Sequence, residues 1–299
     1  MTYISSNDNS SNSSSTIAIK NHYSHSKNLG DTIISALQKA GKDVNALTVD
    51  DLASIDEFHT RGREATAILV QLVGDLKPDY YVLDVGSGIG GPSRYIAARF
   101  GCHIIGHDLV EEYCNAAKML AKKVGLDNLV DYRQGDTTNM PFDNNNFDIV
   151  WTQHASMNIA DKSKLYSEMY RVLKPVGRLV VYDIFKGPKK EEKGSSTFSY
   201  PVPWASDPSM SFLISTEDTR KLLKDIGFKE LIWEDKTASA LEWSYQMIKR
   251  FQAEDAPPPI GLHTLMGPKW QTMVKNLVKN YEEGFVVLAQ GVFEPIKLR

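Results

Sequence analysis

The chain has 299 residues, 42% hydrophobic and 24% charged. This is the composition of a soluble globular protein long enough to bury a sizeable core, as one large domain or one domain with a small elaboration. Lys and Arg total 34 against 37 Asp and Glu, a formal charge of −3, which supplies no general attraction to nucleic acid or anionic membrane.

No run approaches the ~18 consecutive apolar residues of a transmembrane helix. The Ser/Asn-rich start, residues 1–16, lacks an apolar h-region and does not read as a secretory signal. Residues 1–20 are expected to form a disordered tail, and the cytoplasm is the expected compartment. Two helices follow, over 29–41 and 60–76, joined by a polar connection carrying Asp56-Glu57-Phe58-His59; they make a helical cap over 21–79.

From residue 80 the texture changes to alternating strand and helix. Strands are expected over 80–85, 103–106, 130–133, 147–152 and 178–183, with helices over 92–100, 111–124 and 162–173 between them. Pro92 suits a first helical turn, Gly125 a C-cap and Pro175 a helix stop. This order reads as a doubly wound α/β fold with a parallel sheet covered on both faces, its cleft outside the carboxyl ends of the strands. Cys102 and Cys114 fit no CxxC or CxxH metal spacing; two buried thiols are favoured over a disulfide. No metal site is expected.

Residues 185–213 form a long Pro-rich insert, read as a lid or substrate segment. The rest, 214–299, completes the core. It has a helix over 217–226 capped by Ser215 or Thr216, a strand over 228–234, helices over 237–254 and 268–283 split by Pro257-Pro258-Pro259, and a last strand over 285–294.

Asp84-Val85-Gly86-Ser87-Gly88-Ile89-Gly90-Gly91 follows a strand and opens a helix. The G-x-G-x-x-G spacing alone also suits a nicotinamide dinucleotide. Asp84 suits a cationic ligand better than a pyrophosphate, which it would repel. Asp108 ends the second strand, placed for ribose hydroxyls in either cofactor. Gly135-Asp136-Thr137 followed by Met140-Pro141-Phe142 offers a polar acceptor beside an apolar patch, suited to adenine. These residues favour S-adenosyl-L-methionine over NAD. An NAD-dependent oxidoreductase and a non-catalytic scaffold are the competing classes.

Leu83-Asp84-Val85-Gly86-Ser87-Gly88, Gly135-Asp136, Phe147-Asp148 and Arg171-Val172-Leu173-Lys174-Pro175 together resemble the class I S-adenosylmethionine methyltransferases of small molecules. The resemblance implies a mostly parallel seven-stranded sheet with one antiparallel strand. His22-Tyr23, Asp56-Glu57-Phe58-His59, Trp151-Thr152-Gln153-His154 with Met157-Asn158, and Pro203-Trp204-Ala205 resemble the sarcosine/dimethylglycine N-methyltransferase group. That implies a small-molecule amine substrate and glycine betaine, an osmolyte, as product. Related sheets serve phosphoethanolamine, sterol and quinone or tocopherol-precursor methyltransferases, which stay open as alternatives. Asp84, Gly86, Ser87, Gly88, Asp108, Leu109, Gly135, Asp136, Thr137, Gln153 and His59 are the expected cofactor contacts. His154, Tyr23, Asn158, Met157 and Trp204 are the expected catalytic and substrate groups. His154 orients the acceptor or takes its proton, and the aromatic faces welcome an ammonium. Arg61 and Arg63 are candidates for a substrate carboxylate or for surface ion pairs. A homodimer is compatible with these readings.

Overall fold

Apolar residues alternate between two faces along the central strands. Val82, Ile104, Ile149 and Val180 pack into one buried cluster, and their chain neighbours Leu83, Ile105, Val150 and Val181 into another. Period-two geometry requires this of strands covered on both sides. The structure is a computed structural model and describes residues 8–23, 28–190, 196–253 and 260–297.

The strands are β1 (Tyr81–Val85), β2 (His103–Asp108), β3 (Val130–Gln134), β4 (Phe147–Gln153), β5 (Leu173–Lys186), β6 (Phe228–Asp235) and β7 (Val286–Pro295). They form one sheet in the order β3-β2-β1-β4-β5-β7-β6. β1 to β5 pair in parallel, and β7 runs antiparallel between β5 and β6. The order reverses between β1 and β4, so the cleft opens where their carboxyl ends diverge.

The helices between strands are α5 (Gly91–Phe100), α6 (Glu111–Lys123), α7 (Lys162–Val172) and α8 (Thr216–Ile226), close to their expected spans. Ser215 caps α8, accepting from Asp218 N–H. Asp161 caps α7 in the same way, from Lys164 N–H. Both thiols, Cys102 and Cys114, are free and buried. Among the described residues no helix is long and apolar enough to cross a membrane.

The N-terminal region departs from expectation. Among the described residues four helices precede the sheet: α1 (Asp8–Tyr23), α2 (Leu29–Lys39), α3 (Val49–Asp56) and α4 (Gly62–Val73). A helix thus replaces the disordered tail expected across 8–20; residues 1–7 lie outside the described residues. Its last turns supply the anchor: Ile19 is buried in the main core and His22 sits 3.0 Å from both Ser206 Oγ and the Pro203 carbonyl. α3 occupies what was expected to be a connection. Its Thr48-x-x-Asp51 capping box, with Thr48 N–H donating to Asp51 and Asp51 N–H to Thr48 Oγ1, was the overlooked signal.

Two further differences concern the second half. β5 starts at Leu173, immediately after α7, and a register shift beside Phe147 absorbs the extra residues before Arg178 pairs with Ile149. Between β6 and β7 lie α9 (Thr237–Ala253), α10 (His263–Met266) and α11 (Trp270–Glu282). The Pro257-Pro258-Pro259 break falls outside the described residues. The described part of the insert is packed down, with Val202, Trp204 and Ala205 fully buried.

Candidate active site

A cavity of ≈ 280 Å³ opens at the carboxyl ends of β1, β2 and β4, beneath α1 and the insert. Its floor is the turn after β1. Gly86 N–H donates to the His107 carbonyl (2.8 Å) and Gly90 N–H to that of Ser87 (2.8 Å), which folds the turn tightly. The glycines have different tasks. A Cβ on Gly86 would lie 2.3 Å from Ala155 Cβ, and one on Gly91 only 2.0 Å from the Asp56 carbonyl oxygen. Those two permit close packing. Gly88 has φ +53 and nothing within 4 Å of its would-be Cβ, and it lines the cavity; it leaves room for a ligand against bare backbone.

Asp108 ends β2 and holds this turn. Its carboxylate accepts Gly88 N–H (2.8 Å) and Val110 N–H (2.9 Å). Each oxygen keeps a further lone pair for a ligand hydroxyl. Ser87 Oγ is buried on the cavity wall without a partner. A buried hydroxyl left unpaired is costly, so a ligand polar atom fits there. Asp84 is buried and accepts the Ser93 hydroxyl at 2.6 Å. Burial, with the nearby Asp108 charge, raises its pKa to about 7. Burial likewise raises Asp56, although Arg94 pairs with it at 2.8 Å. These acids make this end of the cavity receptive to a cation.

Across the cleft, Gln153 and His154 follow β4. Gln153 Oε1 accepts Trp151 Nε1–H (2.7 Å), and its amide nitrogen lies 3.1 Å from His59 Nε2, which also sits 3.0 Å from the Gly62 carbonyl. Burial lowers the His59 pKa to about 4. His154 has φ 50, an unusual conformation for a non-glycine residue. Its ring stacks on Tyr182 with centroids 5.3 Å apart, and its Nε2 has no partner. Burial, then the His59 ring, holds His154 well below the ordinary histidine range. Both imidazoles are therefore neutral at pH 7, and His154 Nε2 is buried without a hydrogen-bond partner.

Of the residues expected from the sequence, Tyr23, His59, Asp84, Gly86, Ser87, Gly88, Asp108, Leu109, Asp136, Thr137, Gln153, His154, Met157, Asn158 and Trp204 all line the cavity. Gly135 does not. A Cβ there would strike the His107 ring at 2.5 Å, so Gly135 is a packing glycine. Asn158 is a brace rather than a reacting group. It donates to the carbonyls of Trp204 (2.7 Å) and Met210 (3.1 Å) and accepts the Tyr23 hydroxyl (2.8 Å), tying α1 to the insert. Tyr23 is thereby positioned, and burial raises its pKa beyond the ordinary tyrosine range. Trp204 is almost fully buried, with its indole N–H on Ser211 Oγ (2.9 Å).

Neither candidate arginine lines the cavity. Arg61 pairs with Glu64, and Arg63 with Glu57 and Asp50. Sequence reasoning missed Asp56, Tyr113, Thr138, Phe212, Trp243, Met247, Leu262 and Leu277 on the cavity wall. Apolar periodicity marks such positions as buried without saying whether protein or a cavity covers them.

Residues 83–181 match the methyltransferase domain family. The chain is 33% identical over 168 residues to sterol 24-C-methyltransferase ERG6 of Saccharomyces cerevisiae, covering 56% of this chain and 44% of that protein. It is 30% identical over 193 residues to phosphoethanolamine N-methyltransferase 1 of Zea mays, covering 64% and 36%. It is 29% identical over 198 residues to the sarcosine/dimethylglycine N-methyltransferase of Halorhodospira halochloris, covering 66% and 68%. The chain thus spans less than half the length of the first two relatives. Among solved structures, a putative sarcosine dimethylglycine methyltransferase from Galdieria sulphuraria superposes with a TM-score of 0.61 at 21% identity, over 79% of this chain and 85% of that one. The fold is that of the class I methyltransferases.

Proposed function

We propose that this chain, with its methyltransferase domain over residues 83–181, transfers a methyl group from S-adenosylmethionine to a small molecule. The observation that carries the reading is the open cradle at Gly88, flanked by Asp108 and the unpaired Ser87 hydroxyl and continuous with the cavity. Asp108 meets the ribose hydroxyls, Thr137 and Asp136 the adenine, and Asp84 in its ionised form the ligand ammonium.

When bound, S-adenosylmethionine supplies an electrophilic methyl: the acceptor's lone pair forms the new bond to carbon, and the electron pair of the broken carbon–sulfur bond stays on sulfur as S-adenosylhomocysteine. His154, neutral and on the cavity wall, orients the acceptor by a hydrogen bond, and the acceptor's proton leaves to solvent with the product. Gln153 and His59 hold the neighbouring wall rigid, which keeps the acceptor aligned. The insert and α1, tied through Asn158, exclude water.

N-methylation of sarcosine and dimethylglycine to glycine betaine is one reading of the acceptor, the one that the sequence resemblance implies. It is supported by the relative from Halorhodospira halochloris and by the Tyr23 ring on the cavity wall. Calorimetry with S-adenosylmethionine, S-adenosylhomocysteine and NAD tests the cofactor, and S-adenosylhomocysteine release with a panel of small amines, phenols and sterols tests the activity. Binding of S-adenosylmethionine with release on at least one acceptor is expected. NAD binding without S-adenosylmethionine binding overturns the reading.

A further inference from the structure

β6 and β7 are antiparallel neighbours, and a short turn suffices to join such strands. The chain instead places α9, α10 and α11 between them, and all three helices line the cavity. Trp243 and Met247 of α9, Leu262 just before α10 and Leu277 of α11 line it, together with Ile19 of α1 and Phe212 of the insert. Trp243, Met247, Leu262 and Phe212 are only half-buried. Among the described residues, no charged side chain of 236–285 faces the cavity.

Charge is confined elsewhere. Asp84 and Asp108 belong to the cofactor cradle. Arg61, Arg63 and Arg94 are held by Glu64, Glu57 and Asp56. Lys164, the one lysine on the described wall, is exposed and shares the start of α7 with Asp161. His59 and His154 are neutral. A carboxylate set against Trp243, Met247 and Leu262 would lose its hydration, and none of the cavity-lining residues of these helices is a cation. An apolar body would exchange water for aromatic and aliphatic side chains.

We infer that the acceptor is an apolar molecule carrying one neutral hydroxyl or amine, its body against Trp243, Met247 and Leu262 and its nucleophile toward His154, rather than a small zwitterion such as dimethylglycine. This rests on the methyltransferase reading and narrows it.

The test uses the full chain saturated with S-adenosylhomocysteine. Calorimetry measures binding of 4-alkylphenols of rising chain length, alongside dimethylglycine and phosphoethanolamine. Affinity is expected to rise about fourfold per added methylene, as burial of one CH₂ predicts. Met247→Glu and Leu262→Glu, two independent variants, are each expected to weaken phenol binding at least roughly tenfold, the scale of an unpaired charge set in an apolar wall. Both should leave S-adenosylhomocysteine affinity unchanged, which also reports that they fold. No gain with chain length, or dimethylglycine binding better than every alkylphenol, overturns the inference while leaving the methyltransferase reading intact. Failure of S-adenosylhomocysteine itself to bind overturns the methyltransferase reading, and the inference falls with it.

Discussion

Replacing Gly88 by Val separates ligand space from packing space within one turn. Apart from its chain neighbours, no protein atom lies within 4 Å of the added Cβ, so this first carbon meets open space in the free protein. Its cost there is conformational. Gly88 has φ +53, and a side chain in left-handed backbone costs roughly 1–2 kcal/mol. At about 2–4 °C per kcal/mol for a chain somewhat smaller than this one, melting should fall by several degrees and the fold should persist. Ligand binding should suffer far more, because the branched side chain occupies the floor on which the ligand lies. A loss of at least about 100-fold in S-adenosylhomocysteine affinity, ~2.7 kcal/mol, is expected. Gly91→Ala is the contrast: its Cβ would sit 2.0 Å from the Asp56 carbonyl oxygen, so the backbone must move and stability falls first. Scanning calorimetry and ligand titration on both variants make the comparison. A folded Gly88→Val protein that binds S-adenosylhomocysteine within about threefold of the parent chain would refute the placement of the ligand on this turn.

Asp108→Ala removes the acceptor for Gly88 N–H and Val110 N–H as well as the expected ribose contacts. With about 1.5–3 kcal/mol for each charged hydrogen bond, both melting temperature and cofactor affinity should drop. Unchanged affinity by calorimetry would restrict Asp108 to holding the turn. Asp84 makes binding pH-dependent. Its pKa is raised from 3.8 to about 7 in the folded chain, so its own contribution to stability is complete below 3.8 and is lost as pH rises through about 7. A cationic ligand favours the ionised form, so S-adenosylmethionine affinity should climb with pH up to about 7 and then level off. Titration in buffers of different ionisation enthalpy should detect proton release on binding, and Asp84→Asn should flatten the profile. A flat profile in the unaltered protein would remove Asp84 from the ligand's ammonium.

Much of the fold is legible in the sequence because its signals are local. Apolar runs at β1, β4 and β5 mark strands buried on both faces, and Ser215 and Gly125 punctuate helices through bonds spanning only a few residues. The cradle is legible for the same reason: Gly86, Gly88 and Asp108 stand at strand ends, where a doubly wound sheet opens its cleft. What the residues do to one another across the molecule is not local, and tertiary structure alone decided it. Gly135 and Gly88 are the same residue type, yet one packs on His107 and the other faces open space. Asn158 looks like a polar group available for chemistry until Trp204, Met210 and Tyr23, distant in sequence, take up its amide. The apolar stripes of α9 and α11 have the same periodicity whether they meet protein or a cavity. Only the packing of these helices against the cleft turns Trp243, Met247 and Leu277 into its wall. Sequence periodicity sets which face of an element is apolar, and the other elements of the fold determine what that face meets.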